Sequence, residues 1–302
     1  MNKTKIGIVA EYNPFHNGHI HQLNLVKQKF PNSKIYVAMS HKFSQRGEYL
    51  CMSWHKRKKN AKKYGVDKFL KLKMNISSQA AHIFARESVL KLSKKGIKYL
   101  VFGSESGKVD QLIQIAKVLK EHKKQYDQLV KKHLKQGWAF PRATNLALQE
   151  LTGADISMPN DILGIEYVKT IVNENLPITP IALKRTIDFH SQETYQHFAS
   201  ATKIRQIIVH NQDISPFTPV KRKDILNKRI QDTYAKFQKI VKNTPAQTLA
   251  KYKMISEGME NLFKKHVHAP DYDTFIQSCV SKRYTASRIK RAYLFVLKRI
   301  KK

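Results

Sequence analysis

The sequence predicts an α/β fold in which a parallel sheet is flanked by helices, followed by a helical, basic C-terminal region. Three observations lead there. Short apolar runs rich in β-branched residues recur between amphipathic helical patterns. Several of those runs end in turn formers, where an open α/β sheet places its ligands. From about residue 214 the strands disappear, helical periodicity takes over, and basic residues outnumber acidic ones by roughly three to one. The expected division is an α/β domain over residues 1–213, read below as binding nucleotide, and a helical basic domain over 214–302.

The first element is a buried strand over residues 6–10, stopped by Asn13-Pro14 because a residue before proline is driven out of helical geometry. His16-Asn17-Gly18-His19 then opens a helix whose apolar positions Leu23, Leu25 and Val26 continue to about residue 30. A strand, a tight turn and a helix N-terminus make an anion site, since free N–H groups and the helix dipole face the ligand. Gly18 leaves room for a nucleotide against the backbone. The two histidines can donate hydrogen bonds to phosphate oxygens as charge develops there. A surface loop with incidental histidines is the bland alternative, and the strand-to-helix context argues against it.

A second strand is expected over 34–39, leading into a polar segment where Gln45 and Arg46, beside Gly47, would meet a phosphate or a substrate carboxylate. The other reading of that segment is a solvated loop. Ser53 caps a helix through about Tyr64, and its lysines and arginine (Lys56, Arg57, Lys58, Lys59, Lys62, Lys63) read as a solvated face. A short strand follows over 67–72, then a helix from Ser78 to Gly96. The next strand, 98–102, runs into Gly103-Ser104-Glu105-Ser106-Gly107, where Gly103 would let adenine or ribose approach the backbone. Residues 109–136 read as helical and heavily basic, and Pro141 opens a further short helix to Leu151. Asn160 and Asp161 enter a further helix and read as simple caps. A late strand over 180–184 ends at Arg185, and Ser200-Ala201-Thr202-Lys203-Ile204-Arg205 begins a helix that offers a second phosphate site.

Composition narrows the function. The 302 residues suffice for a full core, while a formal charge of +34 calls for a polyanionic partner, nucleic acid before membrane. Lysine outnumbers arginine severalfold, so part of the excess reflects genome composition. No apolar run approaches the roughly 18 residues of a membrane span. The N-terminus leads straight into the first strand, with no signal peptide expected, so the setting is read as cytoplasmic. Cys51 and Cys279 suggest neither disulfide nor zinc, and no residue is assigned to a metal.

These motifs together resemble the tRNA(Met) cytidine acetate ligase family of the nucleotidyltransferase superfamily, on a Rossmann-like core. The likeness rests on EYNPFHNGH at 11–19, MS-x-x-F-x-QRGE at 39–48, FGSESG at 102–107 and PNDILGIEY at 159–167. Lys184-Arg185, SATKIR at 200–205 and SKRYTASRIKR at 281–291 extend it over nearly the whole chain. The resemblance implies ATP-dependent activation of acetate to acetyl-adenylate, with Mg2+ expected beside the triphosphate. Acetyl transfer to the wobble cytidine of elongator tRNA(Met) follows, with no membrane involved. Cys51 is no nucleophile in this chemistry.

By position, His16 and His19 are the catalytic pair, and ATP falls to Val9, Ala10, Glu11, Tyr12, Asn13, Pro14, Phe15, His16, Asn17, Gly18 and His19. Gly103, Asn160, Arg185, Ser200, Thr202 and Arg205 complete the ATP set. Arg283, Arg288, Lys290 and Arg291, interleaved with Tyr284, Tyr293 and Phe295, are expected to bind tRNA. The chain departs from the family pattern twice: His41 stands where a glycine is usual, and Asp161 replaces a second asparagine. Two other classes compete. An adenylyltransferase for a small phosphate ester would turn over without tRNA, and a non-catalytic RNA-binding protein on the same fold would fail to bind ATP.

Overall fold

The structure, a computed structural model, describes residues 3–185 and 197–302. Its N-terminal half runs β1 (Lys5–Ala10), α1 (Asn17–Lys29), β2 (Lys34–Ser40), α2 (Trp54–Lys63) and β3 (Lys68–Leu72). It continues with α3 (Met74–Ser77), α4 (Ala81–Ser93), β4 (Tyr99–Ser104), α5 (Val109–Glu121), α6 (Lys123–Lys135) and α7 (Phe140–Thr152). Next come α8 (Pro159–Asn173), β5 (Thr179–Lys184) and α9 (Ala201–Val209). The C-terminal helices are α10 (Tyr234–Asn243), α11 (Ala246–Leu249), α12 (Met259–His266), α13 (Tyr272–Cys279) and α14 (Ala286–Leu297).

Among the described residues five strands form one parallel sheet in the order β3-β2-β1-β4-β5. Alternation along each strand covers both faces. On β2, Ile35, Val37 and Met39 pack with Ile6, Ile8, Leu23 and Ala61 against α1 and α2. Tyr36 and Ala38 face the other way, into a cluster with Phe84, Leu112 and Val168 from α4, α5 and α8. From β1 the chain moves outward through β2 and β3, then returns to place β4 on the opposite side of β1. Such a reversal opens a crevice at the C-terminal ends of β1 and β4, the ligand position of an open α/β sheet.

The C-terminal helices build a separate aromatic cluster around Phe237, Phe263, Phe275 and Tyr293, with Phe237 and Tyr293 stacked at 4.0 Å. Tyr284, Tyr293 and Phe295, the aromatics among the basic residues, are buried in the core. Helix α14 lies against the loop after β2. A Cβ on Gly47, whose φ is +84°, would come within 2.9 Å of the Lys290 carbonyl oxygen, so only glycine permits this approach. Lys290 Nζ then reaches Glu48 Oε1 at 2.7 Å.

One expected helix start is corrected. Ser78 does not start a helix; it follows α3, and its hydroxyl donates to the Ser44 carbonyl oxygen at 2.9 Å. The helix begins after Ala80, because a buried contact outbid a local cap. Residues 109–136 are helical, as expected, and divide at His122, α5 packing on α8 while α6 packs on α7. Neither glycine nor proline marks that break; two different packing partners impose it.

Candidate functional site

The crevice after β1 and β4 is the mouth of a cavity of about 790 Å³. Its inner wall begins where the chain leaves β1. Tyr12 adopts a left-handed φ of 53° and is 1% exposed, conformational strain of about 1–3 kcal/mol that the surrounding packing must hold. Its ring meets Phe15 and His19 edge-on at 5.0 and 4.8 Å. The Asn13–Pro14 peptide is cis.

His16 is the N-cap of α1, and the two motif histidines cap reciprocally. The Gly18 N–H donates to His16 Nδ1 at 3.1 Å, and the His16 N–H donates to His19 Nδ1 at 3.1 Å. Each Nδ1 is an acceptor, so each neutral ring carries its proton on Nε2. The rings lie 3.7 Å apart. Burial, then Arg185 and Arg205, hold His16 down to about pKa 3. Burial, then His16 and Arg185, hold His19 well below the usual range. The pair is neutral at physiological pH, a pair of hydrogen-bond donors flanked by guanidinium groups. Gly18 keeps the arrangement open, since a Cβ there would approach His16 Cε1 at 3.0 Å.

A stability consequence follows from these shifts. The unfolded histidines titrate near 6.5, so below that pH the unfolded chain binds protons that the folded one refuses. Stability is complete above about 6.5 and falls as the pH drops toward His16's value, by up to about 1.4 kcal/mol per unit per histidine. Melting temperatures at pH 7.5 and 5.5 are expected to show the drop, and His16→Asn, which keeps a cap acceptor, should lessen it. Equal slopes for the two proteins would show that these rings are not the origin.

The other wall comes from β4, α8 and α9. Gly103 and Asn160 line the cavity, as do Arg185, Thr202 and Arg205. Arg205 Nη1 donates to the Asn13 carbonyl oxygen at 2.8 Å and Nη2 to Thr202 Oγ1 at 3.1 Å, tying the start of α9 to the histidine loop. Asn160 and Asp161 are not caps. Glu105 takes that part, accepting from both their N–H groups and from Asn160 Nδ2 at 2.6 Å. Asp161 turns away from the cavity, accepting from Ser104 Oγ and, at 3.1 Å, from the Ser106 N–H. His41 lies at the end of β2, its ring edge-on to Trp54 and its N–H on the Leu72 carbonyl oxygen.

Val9, Ala10, Glu11, Tyr12, Asn13, His16, Gly18 and His19 reach the cavity, as do Gln45 and Arg46. Pro14 and Phe15 are buried behind it. Asn17 spends its amide donors on the carbonyl oxygens of His197 and Pro216, and Ser200 caps α9 by accepting from the Lys203 N–H. These four support the wall without lining it. The four cations near the C-terminus also separate: Arg283 is exposed, while Arg288 bonds Ser256 and Glu257 and Lys290 bonds Glu48. Arg291 is 7% exposed and turns into the cavity.

The sequence reading missed Arg57. It is fully buried, and its guanidinium donates to the carbonyl oxygens of Glu11, Ser40, His41 and Met52. It also missed His82 and Phe140, which line the outer cavity. Neither has a local signal, since the topology alone brings them there. Burial pushes the Cys51 thiol up to about 11, so it is no thiolate nucleophile.

The family model described as HIGH Nucleotidyl Transferase matches residues 3–302. The tRNA(Met) cytidine acetate ligase of Mycoplasmopsis synoviae (strain 53) is 54% identical over 300 residues, 99% of this chain and 98% of that one. The same-named protein of Mycoplasmopsis pulmonis (strain UAB CTIP) is 48% identical, covering 98% of this chain and 99% of its own. Among solved structures, Thermotoga maritima TmcAL bound with alpha-thio ATP superposes with a TM-score of 0.89 at 28% identity, over 99% of this chain and 76% of that one.

Proposed function

The chain belongs to the HIGH nucleotidyl transferase family, with the tRNA(Met) cytidine acetate ligases, and on that premise we propose how its own residues carry out the reaction. It is an ATP-dependent ligase that activates acetate as acetyl-adenylate and acetylates the exocyclic amine of the wobble cytidine of elongator tRNA(Met). The observation that carries the residue assignment is the reciprocal capping of His16 and His19, which leaves two neutral Nε2–H donors in a cavity bordered by Arg185 and Arg205.

Acetate is a poor acyl donor because its leaving group would be oxide or hydroxide. Adenylation replaces that with AMP. An acetate oxygen bonds the α-phosphorus as the bond to pyrophosphate breaks, and catalysis rests on positioning and on stabilising charge at phosphorus. His16 and His19 donate to the α-phosphate oxygens as that charge grows, while Arg205 and Arg185 meet the triphosphate. In the second step the cytidine amine attacks the acetyl carbonyl, the carbon–oxygen bond to AMP breaks, and the amine loses a proton. Among the described residues no group of three or more His, Cys, Asp and Glu side chains is placed to hold a metal ion. A Mg2+ ion accompanying the triphosphate would be held by phosphate oxygens and water, with at most one or two protein oxygens.

The decisive experiment is mass analysis of tRNA nucleosides after incubation with ATP and labelled acetate. Labelled acetylcytidine supports the reading; turnover of a small phosphate ester without tRNA, or failure to bind ATP, would replace it. Arg205→Ala separates binding from chemistry. Triphosphate charge is present in the ground state, so ATP affinity should fall about tenfold or more along with turnover. A kinetic defect with normal ATP affinity would remove Arg205 from the triphosphate.

A further inference from the structure

Part of the cavity carries side chains to which the proposed ATP contacts assign no role. Arg291 projects into it from α14, yet it makes no hydrogen bond or ion pair with any described residue, and its Nε is buried without a partner. A buried guanidinium without an acceptor is costly, and a ligand with acceptor atoms removes that cost. Phe140, which lines the same cavity, is 38% exposed, a large apolar ring left open to solvent at its rim. His82 lies beside Phe140, their rings 5.1 Å apart, and it lines the same cavity. This end connects to the histidine loop through two hydrogen bonds. The Gln45 N–H donates to Glu11 Oε1 and Gln45 Nε2 to the Gln79 carbonyl oxygen, each at 2.6 Å.

We propose that this part of the cavity seats the extruded pyrimidine, with Phe140 stacked on the ring and Arg291 donating to its O2 and N3. An amine inside a stacked anticodon cannot reach an acyl-adenylate, so the base leaves its stack and needs an aromatic face to replace it. Cytosine offers adjacent acceptors at O2 and N3 and leaves its amine free. Uracil presents a donor at N3 and loses one of the two bonds. Deep burial of Arg291 favours a base edge over a backbone phosphate, which remains at the surface.

The inference rests on the proposed cytidine acceptor, and the test separates the two. An anticodon stem-loop RNA carrying either cytosine or an abasic site at the acceptor position is titrated onto the full chain. The wild type should prefer the cytosine RNA by about tenfold to a hundredfold, as for one stacked base. Phe140→Ala and Arg291→Met should lose most of that preference while binding the abasic RNA like the wild type. Phe140 lies at the rim, so its variant decides the matter if Arg291→Met does not fold. Equal preference in wild type and Phe140→Ala, or none in the wild type, overturns the seat whether or not acetylcytidine forms. Preference that depends on Phe140 without any acetylcytidine keeps the seat and overturns the proposed reaction.

Discussion

Replacing His19 with alanine is expected to lower acetyl-adenylate formation about a hundredfold, the usual loss for one transition-state donor. The ring has two parts to play. Its Nδ1 holds the His16 N–H at 3.1 Å, and its Nε2–H is the donor left for the ligand. Loss of the first contact costs about 1 kcal/mol, a small share of a stability of about 5–15 kcal/mol, so the chain should still fold. Loss of the second matters mainly at the transition state, because charge on the α-phosphate oxygens grows only as the acetate oxygen bonds. ATP affinity should therefore change little while the rate falls. His19→Asn keeps an acceptor for the cap and should be almost as slow, which assigns the defect to the lost donor. Single-turnover formation of acetyl-adenylate without tRNA is the measurement. An unchanged rate, or a loss confined to ATP affinity, would remove His19 from the chemistry.

The largest effect on stability is expected at Arg57, which touches no ligand. Its guanidinium lies where β1 and β2 end and donates to the Glu11 and Ser40 carbonyl oxygens at 2.7 and 2.8 Å. The His41 and Met52 carbonyl oxygens complete the set. Burial brings its pKa down to about 10, so it remains a cation at neutral pH. Arg57→Leu would fill the space but leave buried carbonyl groups without donors, at a cost of about 3–5 kcal/mol. A chain of this size should then melt about 10 °C lower. Arg57→Lys keeps the charge without the planar fork and should recover only part of the loss. A melting temperature within a degree or two of wild type would show that other contacts hold the strand ends.

Arg57 also marks a limit of what could be read in advance. In sequence it is one of several basic residues on a helix that alternates with no clear apolar stripe. Its neighbours Lys56, Lys59, Lys62 and Lys63 are exposed, as a solvated face should be. Nothing local distinguishes the buried cation, because its acceptors at residues 11, 40 and 41 come from the ends of β1 and β2. The same holds for Asp161. Its place after Pro159 at a helix start suits a cap, yet Glu105, more than fifty residues earlier, supplies the carboxylate at that N-terminus.

Where local chemistry is sufficient, the sequence by itself determined the outcome. The strand before Asn13, the helix opened by His16 and the glycine between two histidines are set by steric rules and hydrogen-bond needs within a few residues. So is the Ser53 cap, which the structure places as expected. Tertiary structure alone decided which polar groups face the cavity. Asn17 is bound into the wall, Arg291 is turned inward from α14, and Phe140 is left open at the rim. The physical reason is one of range. A cap or a strand end is satisfied by its own neighbours, whereas the direction of a side chain in a cavity depends on acceptors and apolar surface that distant segments bring to it.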